Sequence, residues 1–308
     1  MLLNGRPEPF GHPWIVSRDV ISDETWSVIG PLFPPAKTRG RPPVDRRVIV
    51  EAVVWRFRTG APWRDLPERF GNWNTIYRNF DRWAKDGLWA RVLEHVQGVV
   101  ERNGDIDWVA SIDSTIARVH QHGATLPRAK KGTSNYNKST AEPSDHAIGR
   151  SRGGLTTKTH LVCDGRGRPL GFVVTGGQVA DTIMLPATMN QIRVPTAGRP
   201  RLRPDRLRAD KGYPSKASRA WLRARDVKTT IPERNDQIAH RRKRPGRPIV
   251  FDADDYKGRN VVERCFNRLK QWRGIAMRSD KTARNYHAAL CLAATLLWAE
   301  RPSSSSPN

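Results

Sequence analysis

The segment Tyr256–Lys270 concentrates side chains that can do chemistry. Four of them fall within roughly 60° of one another on a helix that turns about 100° per residue: Tyr256, Arg259, Glu263 and Lys270. An apolar stripe lies beside them: Val262, Cys265, Phe266 and Leu269. A helix that packs through this stripe would present one carboxylate framed by cations, which suits a site for metal and phosphate. The segment alone is also compatible with an ordinary amphipathic helix whose charges pair at i,i+4 spacing.

Two further acids lie in strand-like surroundings. Asp113 lies in the β-prone run 108–117, and Asp210 lies where an apolar stretch meets a turn rich in Gly and Pro. An Asp in or at the end of an apolar strand is costly to bury without a partner, and oxygen ligands suit Mg²⁺ or Mn²⁺. With Glu263 they would form a site for two metals, roughly 3.5–4 Å apart, that clamps a phosphodiester. Either Asp taken alone is also compatible with a turn residue at a strand end.

Taken together, several blocks of the chain resemble the DDE transposases of bacterial insertion sequences, in the group with a Tyr-x2-Arg-x3-Glu-x6-Lys signature. The blocks are Ile112–Thr115, Gly149–His160, Ala209–Tyr213 and the signature itself in Tyr256–Lys270. The resemblance runs from about residue 17 to residue 300. Any one block would be weak, whereas the combination is specific.

The resemblance implies an RNase H-like fold and an insertion-sequence transposase. Such an enzyme binds the terminal inverted repeats of its element, cleaves there to free 3′-hydroxyls and joins them to target DNA by transesterification. Asp113, Asp210 and Glu263 are then expected to be the catalytic acids and to hold Mg²⁺ or Mn²⁺, two ions in all. The partners expected are double-stranded DNA, as element end and as target, and a second copy of the chain in a synaptic homodimer.

The signature also implies which side chains lie near DNA phosphate. Tyr256, Arg259 and Lys270 are expected there. Lys270 would orient a phosphate, and Arg259 would neutralise charge that develops on it. The histidines at positions 120, 122 and 160 are left outside the metal set, because a lone His is more often structural.

Charge and composition agree with a nucleic-acid partner. The formal net charge is +24 over 308 residues and the pI is about 11.0, which favours a polyanion through phosphate neutralisation. A ribosomal or chromatin-like binder would share that charge, but 11 Trp residues and long periodic apolar segments indicate a packed core. No phosphate-binding P-loop or GxSxG motif occurs, so ATP-driven and serine-hydrolase chemistry have no support.

Cysteine usage and hydropathy favour a reducing cytoplasm, and the resemblance implies a bacterial one, with association with the nucleoid on DNA. Cys163, Cys265 and Cys291 lack CxxC spacing and cannot all pair, so free thiols are expected. No signal peptide is visible near the start. The longest apolar run, 288–299, is too short to span a bilayer and predicts a buried helix.

Residues 17–95 are predicted to form a small all-α domain of helix-turn-helix type. A helix capped by Asp45, short helical turns and a helix over 73–83 follow that order. The last helix has a polar face from which Asn74, Arg78 and Arg82 are expected to reach bases and phosphates in a major groove. The alternative is the solvated outer face of a helical bundle.

From Trp108 onward, period-two alternation predicts strands. Three hairpin-linked strands, with an Asp-Gly turn at Asp164, are followed by helix, strand, helix, strand and helix. This order predicts an α/β fold, a mixed sheet with flanking helices, over residues 105–301, and it matches the RNase H-like fold that the resemblance implies.

The remaining segments are predicted to be loosely structured. Residues 1–16 are rich in Pro and Gly, and 302–308 form a Ser-rich tail that is expected to be disordered. The basic segments 121–150 and 234–248 are predicted to be solvated loops that can also follow a DNA backbone. Two other functions fit the same patterns: a DNA-binding regulator without catalysis, and an RNase H-like nuclease that cuts without joining.

Overall fold

The computed structural model describes residues 20–35, 44–125, 146–243, 249 and 251–300. The predictions for 1–16 and 302–308 lie outside the described residues, as does most of the predicted loop 121–150.

Four helices form the described N-terminal region: α1 (Asp23–Ile29), α2 (Arg46–Thr59), α3 (Trp73–Lys85) and α4 (Leu88–Arg102). The side chains of Ser22, Asp45 and Asn72 accept hydrogen bonds from backbone N–H groups in the first turns of α1, α2 and α3. These bonds satisfy donors that a helix start leaves unpaired. Short 3₁₀ turns connect α2 to α3, so the predicted helix, turn, helix order is confirmed.

A mixed sheet follows. Its main strands are β1 (Val109–Val119), β2 (Gly149–Ser151), β3 (Gly154–Cys163), β4 (Pro169–Gly176), β5 (Arg206–Ala209) and β6 (Lys228–Thr230). Helix α5 (Asp181–Met189) precedes β5, and helix α6 (Lys216–Arg223) precedes β6. The turn between β3 and β4 closes through Arg168 N–H, which donates to Asp164 Oδ1 at 2.7 Å. The predicted Asp-Gly hairpin is therefore confirmed.

The order and direction of the strands define the fold. The central strand β1 is antiparallel to β3, which is antiparallel to β4. On its other side β1 is parallel to β5, which is parallel to β6. The order β4-β3-β1-β5-β6, with a hairpin half and a parallel half, is that of an RNase H-like sheet. The predicted fold class is confirmed.

The C-terminal part adds α7 (Asn235–Arg242), α8 (Ala253–Lys257), α9 (Asn260–Lys270), α10 (Arg273–Ala276), β7 (Met277–Arg278) and α11 (Ala283–Ala299). The predicted loop over 234–248 is wrong in its described part, because residues 235–242 form α7. Strand β7 pairs with the end of β1. Within the described ranges, no helix is both long and apolar enough to cross a membrane. The three cysteines are free and buried.

The single helix predicted over Tyr256–Lys270 is wrong, because the segment forms α8 and α9 with a break at Gly258. Asp255 ties α8 to the sheet through Arg208 on β5, with Nη2 and Oδ1 2.6 Å apart. The Arg208 guanidinium occupies the space beside Gly258 where a side chain would otherwise lie. Helix α9 packs instead on β1 and β3. One straight helix cannot satisfy both attachments.

The helical region and the sheet share one hydrophobic core. Helix α11 packs against α2, α3 and α4, and α10 packs against α2. Arg56 of α2 forms a buried ion pair with Asp280, with Nη1 and Oδ2 3.2 Å apart. Helix α4 runs through position 95, so the predicted domain boundary falls inside a helix. The division into two domains remains a prediction.

Candidate active site

Strands β1 and β5 bring the two strand acids to the same level of the sheet. In their parallel register Ile112 lies beside Ala209, so Asp113 and Asp210 follow as neighbours. Asp113 lies within β1, whereas Asp210 begins the turn after β5. Its Oδ1 accepts a hydrogen bond from Gly212 N–H at 2.8 Å, which holds the carboxylate in that turn.

Arg259 joins the helix acid to the first strand acid. This arginine lies at the start of α9, and its Nη1 is 2.7 Å from Oε1 of Glu263 one turn later. Its Nη2 donates to Asp113 Oδ2. The Asp113 and Arg259 side chains are mostly buried, whereas Glu263 is 54% exposed. The structure therefore places Asp113 and Glu263 on two sides of one guanidinium.

Asp113 is a buried acid with other acids nearby. Its pKa is raised to about 6: burial raises it most, Ser114 N–H and Arg259 lower it, and the charges of Asp210 and Asp181 raise it. Burial lowers the pKa of Arg259, but the neighbouring carboxylates outweigh it and the pKa is raised. A cation is thus strongly favoured between these acids.

A buried phenol faces the same acids. Tyr213 is 1% exposed, and its hydroxyl has no hydrogen-bond partner among the described residues. Burial raises its pKa, and the charges of Asp113, Asp181 and Asp210 raise it further. The group therefore stays a neutral donor close to the carboxylates.

Tyr256 and Lys270 lie at the edges of this cluster. Burial raises the pKa of Tyr256, Arg259 lowers it, and the charges of Asp210, Asp113 and Glu263 raise it again, so the phenol lies within the field of all three acids. Lys270 donates from Nζ to the carbonyl of Ile116 on β1 at 3.3 Å, and burial lowers its pKa. Tyr256, on a separate helix, thus lies near the acids, whereas Lys270 contacts β1 three residues beyond Asp113.

Asp181 is a fourth carboxylate of the site and is absent from the sequence prediction. It begins α5, and its Oδ1 accepts hydrogen bonds from Ser114 Oγ at 2.7 Å and from Lys158 Nζ at 3.0 Å. The buried ring of His160 lies 3.6 Å away from the same oxygen. An acid in the first turn of a helix is common, so no local pattern singles it out.

The residues predicted to read DNA bases lie on α3, apart from the acids in the chain. Arg78 and Arg82 are exposed, and Asn74 is partly exposed. Arg82 Nη2 donates to Asn79 Oδ1 at 2.6 Å. The polar face of α3 is therefore exposed to solvent. Both interpretations, contact with DNA and a solvated outer face, require this.

The donor set fits a divalent ion in chemistry. Asp113, Asp210 and Glu263 offer carboxylate oxygens, the preferred ligands of Mg²⁺ and Mn²⁺, and Arg259 already supplies positive charge between two of them. Across the described residues, no three Asp, Glu, His or Cys side chains are grouped closely enough to hold an ion as they stand.

The sheet order is that of the RNase H-like nucleic-acid enzymes, and comparisons with known proteins agree. Residues 105–298 match the family model described as "Transposase DDE domain", and residues 21–93 match the "Putative transposase of IS4/5 family (DUF4096)" model. Because the first match covers well over half of the chain, the chain belongs to the DDE transposase family. It is a transposase, an enzyme of DNA cleavage and strand transfer, and the family implies use of a divalent metal ion.

Several curated proteins are similar to parts of the chain. The "Putative transposase for insertion sequence element IS6501" of Brucella ovis is 30% identical over 144 residues, which are 47% of this chain and 98% of that protein. The "Putative transposase for insertion sequence element IS402" of Burkholderia cepacia is 32% identical over 143 residues, 46% of this chain and 62% of that protein. The uncharacterized protein y4sN of Sinorhizobium fredii is 40% identical over 116 residues, covering 37% and 88%.

Among solved structures, the "Mos1 transposase paired-end complex with left transposon end" aligns with 77% of this chain and 80% of that chain. Its TM-score is 0.23 and its sequence identity is 12%. A similarity at this level adds nothing to the strand order as evidence for the fold.

Proposed function

We propose that this transposase acts at the terminal inverted repeats of an insertion sequence and that Asp113, Asp210 and Glu263 are its catalytic acids. The observation that carries this proposal is the ion-paired bridge from Asp113 through Arg259 to Glu263, at the sheet level where Asp210 also lies. Three acids from distant parts of the sequence lie near one another, two on either side of the Arg259 guanidinium and the third beside Asp113 in the register of β1 and β5. Separate structural roles for the three acids would not require this arrangement.

The three acids would hold the metal, as Mg²⁺ or Mn²⁺ and as two ions. Bound there, the ions would activate the attacking oxygen and stabilise the leaving oxygen of an in-line phosphodiester exchange. The raised pKa of Asp113 supports this role. It shows that the ionised carboxylate is unfavourable in its buried position near other acids, and a bound metal cation would stabilise it.

The basic side chains would bind the phosphate. Arg259 pairs with Asp113 and Glu263 through its two terminal nitrogens, and the same planar fork can pair with a phosphate once other cations neutralise the acids. Lys270 lies two turns beyond Glu263, about 10 Å along the helix axis, so it would orient a neighbouring phosphate. Tyr256 offers a phenol on the other side of Arg259.

Recognition of the element end would fall to α3. Asn74, Arg78 and Arg82 lie on its polar face, and a helix of this type enters the major groove. Joining two ends to one target requires both ends in one complex, so we propose a homodimer in the synaptic state.

A strand-transfer assay tests the catalytic set. A labelled element end is incubated with target DNA and Mg²⁺, and cleaved and joined products are separated. Asp113→Asn, Asp210→Asn and Glu263→Gln are each expected to abolish both products while DNA binding survives. Asp205→Asn is the matched control, since this ion-paired acid precedes β5 at the end opposite Asp210.

The outcomes separate the competing functions. A variant that retains wild-type joining would remove its residue from the catalytic set. Metal-dependent cleavage without joining would indicate a nuclease. End binding with no metal-dependent product from the wild type would indicate a regulator.

Point variants test end recognition better than deletion. Removing residues 1–95 would truncate α4 and uncover α11, so the rest of the protein would lose part of its core. Arg78→Ala combined with Arg82→Ala leaves the buried face of α3 intact. Footprinting on element ends and on random DNA should show a lost preference for the ends, and an unchanged footprint would place recognition elsewhere.

A further inference from the structure

The first turn of α5 contacts the chain next to both strand acids. Asp181 Oδ1 accepts a hydrogen bond from the hydroxyl of Ser114, which follows Asp113. Thr182 Oγ1 donates to the carbonyl of Gly212, two residues after Asp210. The first turn of α5 therefore contacts the chain beside both Asp113 and Asp210.

The two contacted residues are those that hold the acids. The backbone N–H of Ser114 donates to Asp113 Oδ1 at 2.8 Å. The backbone N–H of Gly212 donates to Asp210 Oδ1, also at 2.8 Å. In each case a backbone N–H binds the carboxylate, and α5 binds another atom of the residue that supplies this N–H.

Asp181 is itself firmly held. Lys158 on β3 donates from Nζ to Asp181 Oδ1 and, at 2.7 Å, to the carbonyl of Val179, so it ties the start of α5 to the sheet. The helix N-terminus favours an acid at this position. The position of Asp181 is thus determined from both the helix and the strand beneath it.

We propose that Asp181 is a positioning residue of the transposase: it acts through Ser114, with Thr182 acting through Gly212, to hold Asp113 and Asp210 in the arrangement that binds metal. The proposal rests on the proposed function, which makes Asp113 and Asp210 metal ligands. Groups that orient metal ligands typically change metal affinity or activity by about 10–100-fold when removed. Asp181 Oδ1 is engaged by Ser114 and Lys158, so the proposal assigns Asp181 a role through Ser114 rather than as a metal ligand.

Mn²⁺ binding to the full-length protein tests the proposal without relying on activity. Free Mn²⁺ is measured by electron paramagnetic resonance during titration of wild type, Asp181→Ala, Asp181→Asn and Ser114→Ala. Asp181→Ala and Ser114→Ala are expected to weaken Mn²⁺ binding by about 10-fold or more. Asp181→Asn keeps an oxygen that accepts from Ser114, so it should recover most of the affinity. Thermal unfolding is recorded for each variant, and Asp205→Asn is the control.

Two results would overturn the proposal. One is wild-type Mn²⁺ affinity in both Asp181→Ala and Ser114→Ala. The other is an Asp181→Asn defect as large as that of Asp181→Ala, since this would make Asp181 a metal ligand. If Asp181→Ala does not fold, the comparison of Ser114→Ala with Asp181→Asn decides the matter alone.

The same titration distinguishes this proposal from the catalytic assignment. Wild-type Mn²⁺ affinity in Asp113→Asn would overturn the proposed function and this inference with it. A weakened Asp113→Asn beside a normal Asp181→Ala and Ser114→Ala would overturn only this inference.

Discussion

Neutralising Asp113 should stabilise the metal-free protein at neutral pH. Burial and the nearby charges of Asp210 and Asp181 keep the pKa of Asp113 at about 6, against 3.8 for an unperturbed Asp. The ionised carboxylate is therefore unfavourable in the folded state. Asp113→Asn keeps the shape of the side chain and removes the charge, so it removes this penalty.

The size of the effect follows from the pKa difference. A pKa that is higher in the folded state contributes stability that is fully present below pH 3.8 and is lost as the pH rises through 6. At about 1.4 kcal/mol per pKa unit, the difference between 3.8 and about 6 corresponds to about 3 kcal/mol. The opposing charge of Arg259 is already included in that pKa. We therefore expect a gain of about 3 kcal/mol at pH 7.5.

Thermal and urea unfolding in EDTA measure the effect at pH 7.5 and at pH 4. A gain of about 3 kcal/mol corresponds to an increase in Tm of roughly 5 °C for a protein of this size. At pH 4 the folded wild type is largely protonated at Asp113, so the gain should disappear. Asp205→Asn, whose carboxylate is 74% exposed, should show no such pH-dependent gain.

Two results would refute this reasoning. Equal stability of Asp113→Asn and wild type at pH 7.5 would mean that the acids are not crowded in solution. The same gain at both pH values would mean that the stabilisation does not come from the charge. Added Mg²⁺ supplies a further check, because binding stabilises the folded state by mass action. It should raise the Tm of the wild type and not that of Asp113→Asn.

Four further outcomes are expected. Asp255→Asn should destabilise the protein by about 2 kcal/mol at pH 7. Burial raises the pKa of Asp255, but hydrogen bonds from arginines and a threonine outweigh it and lower the pKa to about 2. The loss should vanish as the pH falls through 2, and urea unfolding at a series of pH values measures it. Lys270→Met should lower the salt-dependence slope of DNA binding by about one and leave Mn²⁺ affinity unchanged. Arg78→Ala should cost about 1–3 kcal/mol of preference for the element end in competition binding, whereas Arg91→Ala on α4 should not. Arg56→Met should leave a buried unpaired acid and reduce unfolding free energy by about 3–5 kcal/mol, seen by denaturant titration.

Local patterns in the sequence predicted much of the fold and singled out Asp113 and Asp210 as candidate acids. Asp113 and Asp210 interrupt or end apolar strand segments, where a charged residue is unusual. Parallel pairing of the two strands then brings the two acids side by side. The caps at Ser22 and Asp45 and the hairpin at Asp164 depend on a few neighbouring residues. Each of these caps and turns depends on residues only a few positions apart in the sequence.

Features set by distant contacts could not be predicted in this way. Asp181 resembles any acid at a helix start, and its role appears only once the β1–β3 register sets Ser114 beside His160 and brings Lys158 near. The break at Gly258 arises because Asp255 binds β5 while α9 packs on β1. No periodicity within the helices encodes either contact.

The shared core has a consequence for the proposed roles of α3 in recognition and of the three acids in catalysis. Asp81 of α3 binds Arg284 at 3.3 Å and Asn285 at 3.1 Å, at the start of α11. Buried Arg278 of β7 lies beside Val119 on β1, the strand that carries Asp113. Packed contacts rather than a linker therefore connect α3, the proposed recognition helix, to the proposed catalytic acids. A bound element end would be held by α3 at a distance from the acids that the fold itself fixes, so the cleaved phosphate would be selected by its spacing from the recognised bases.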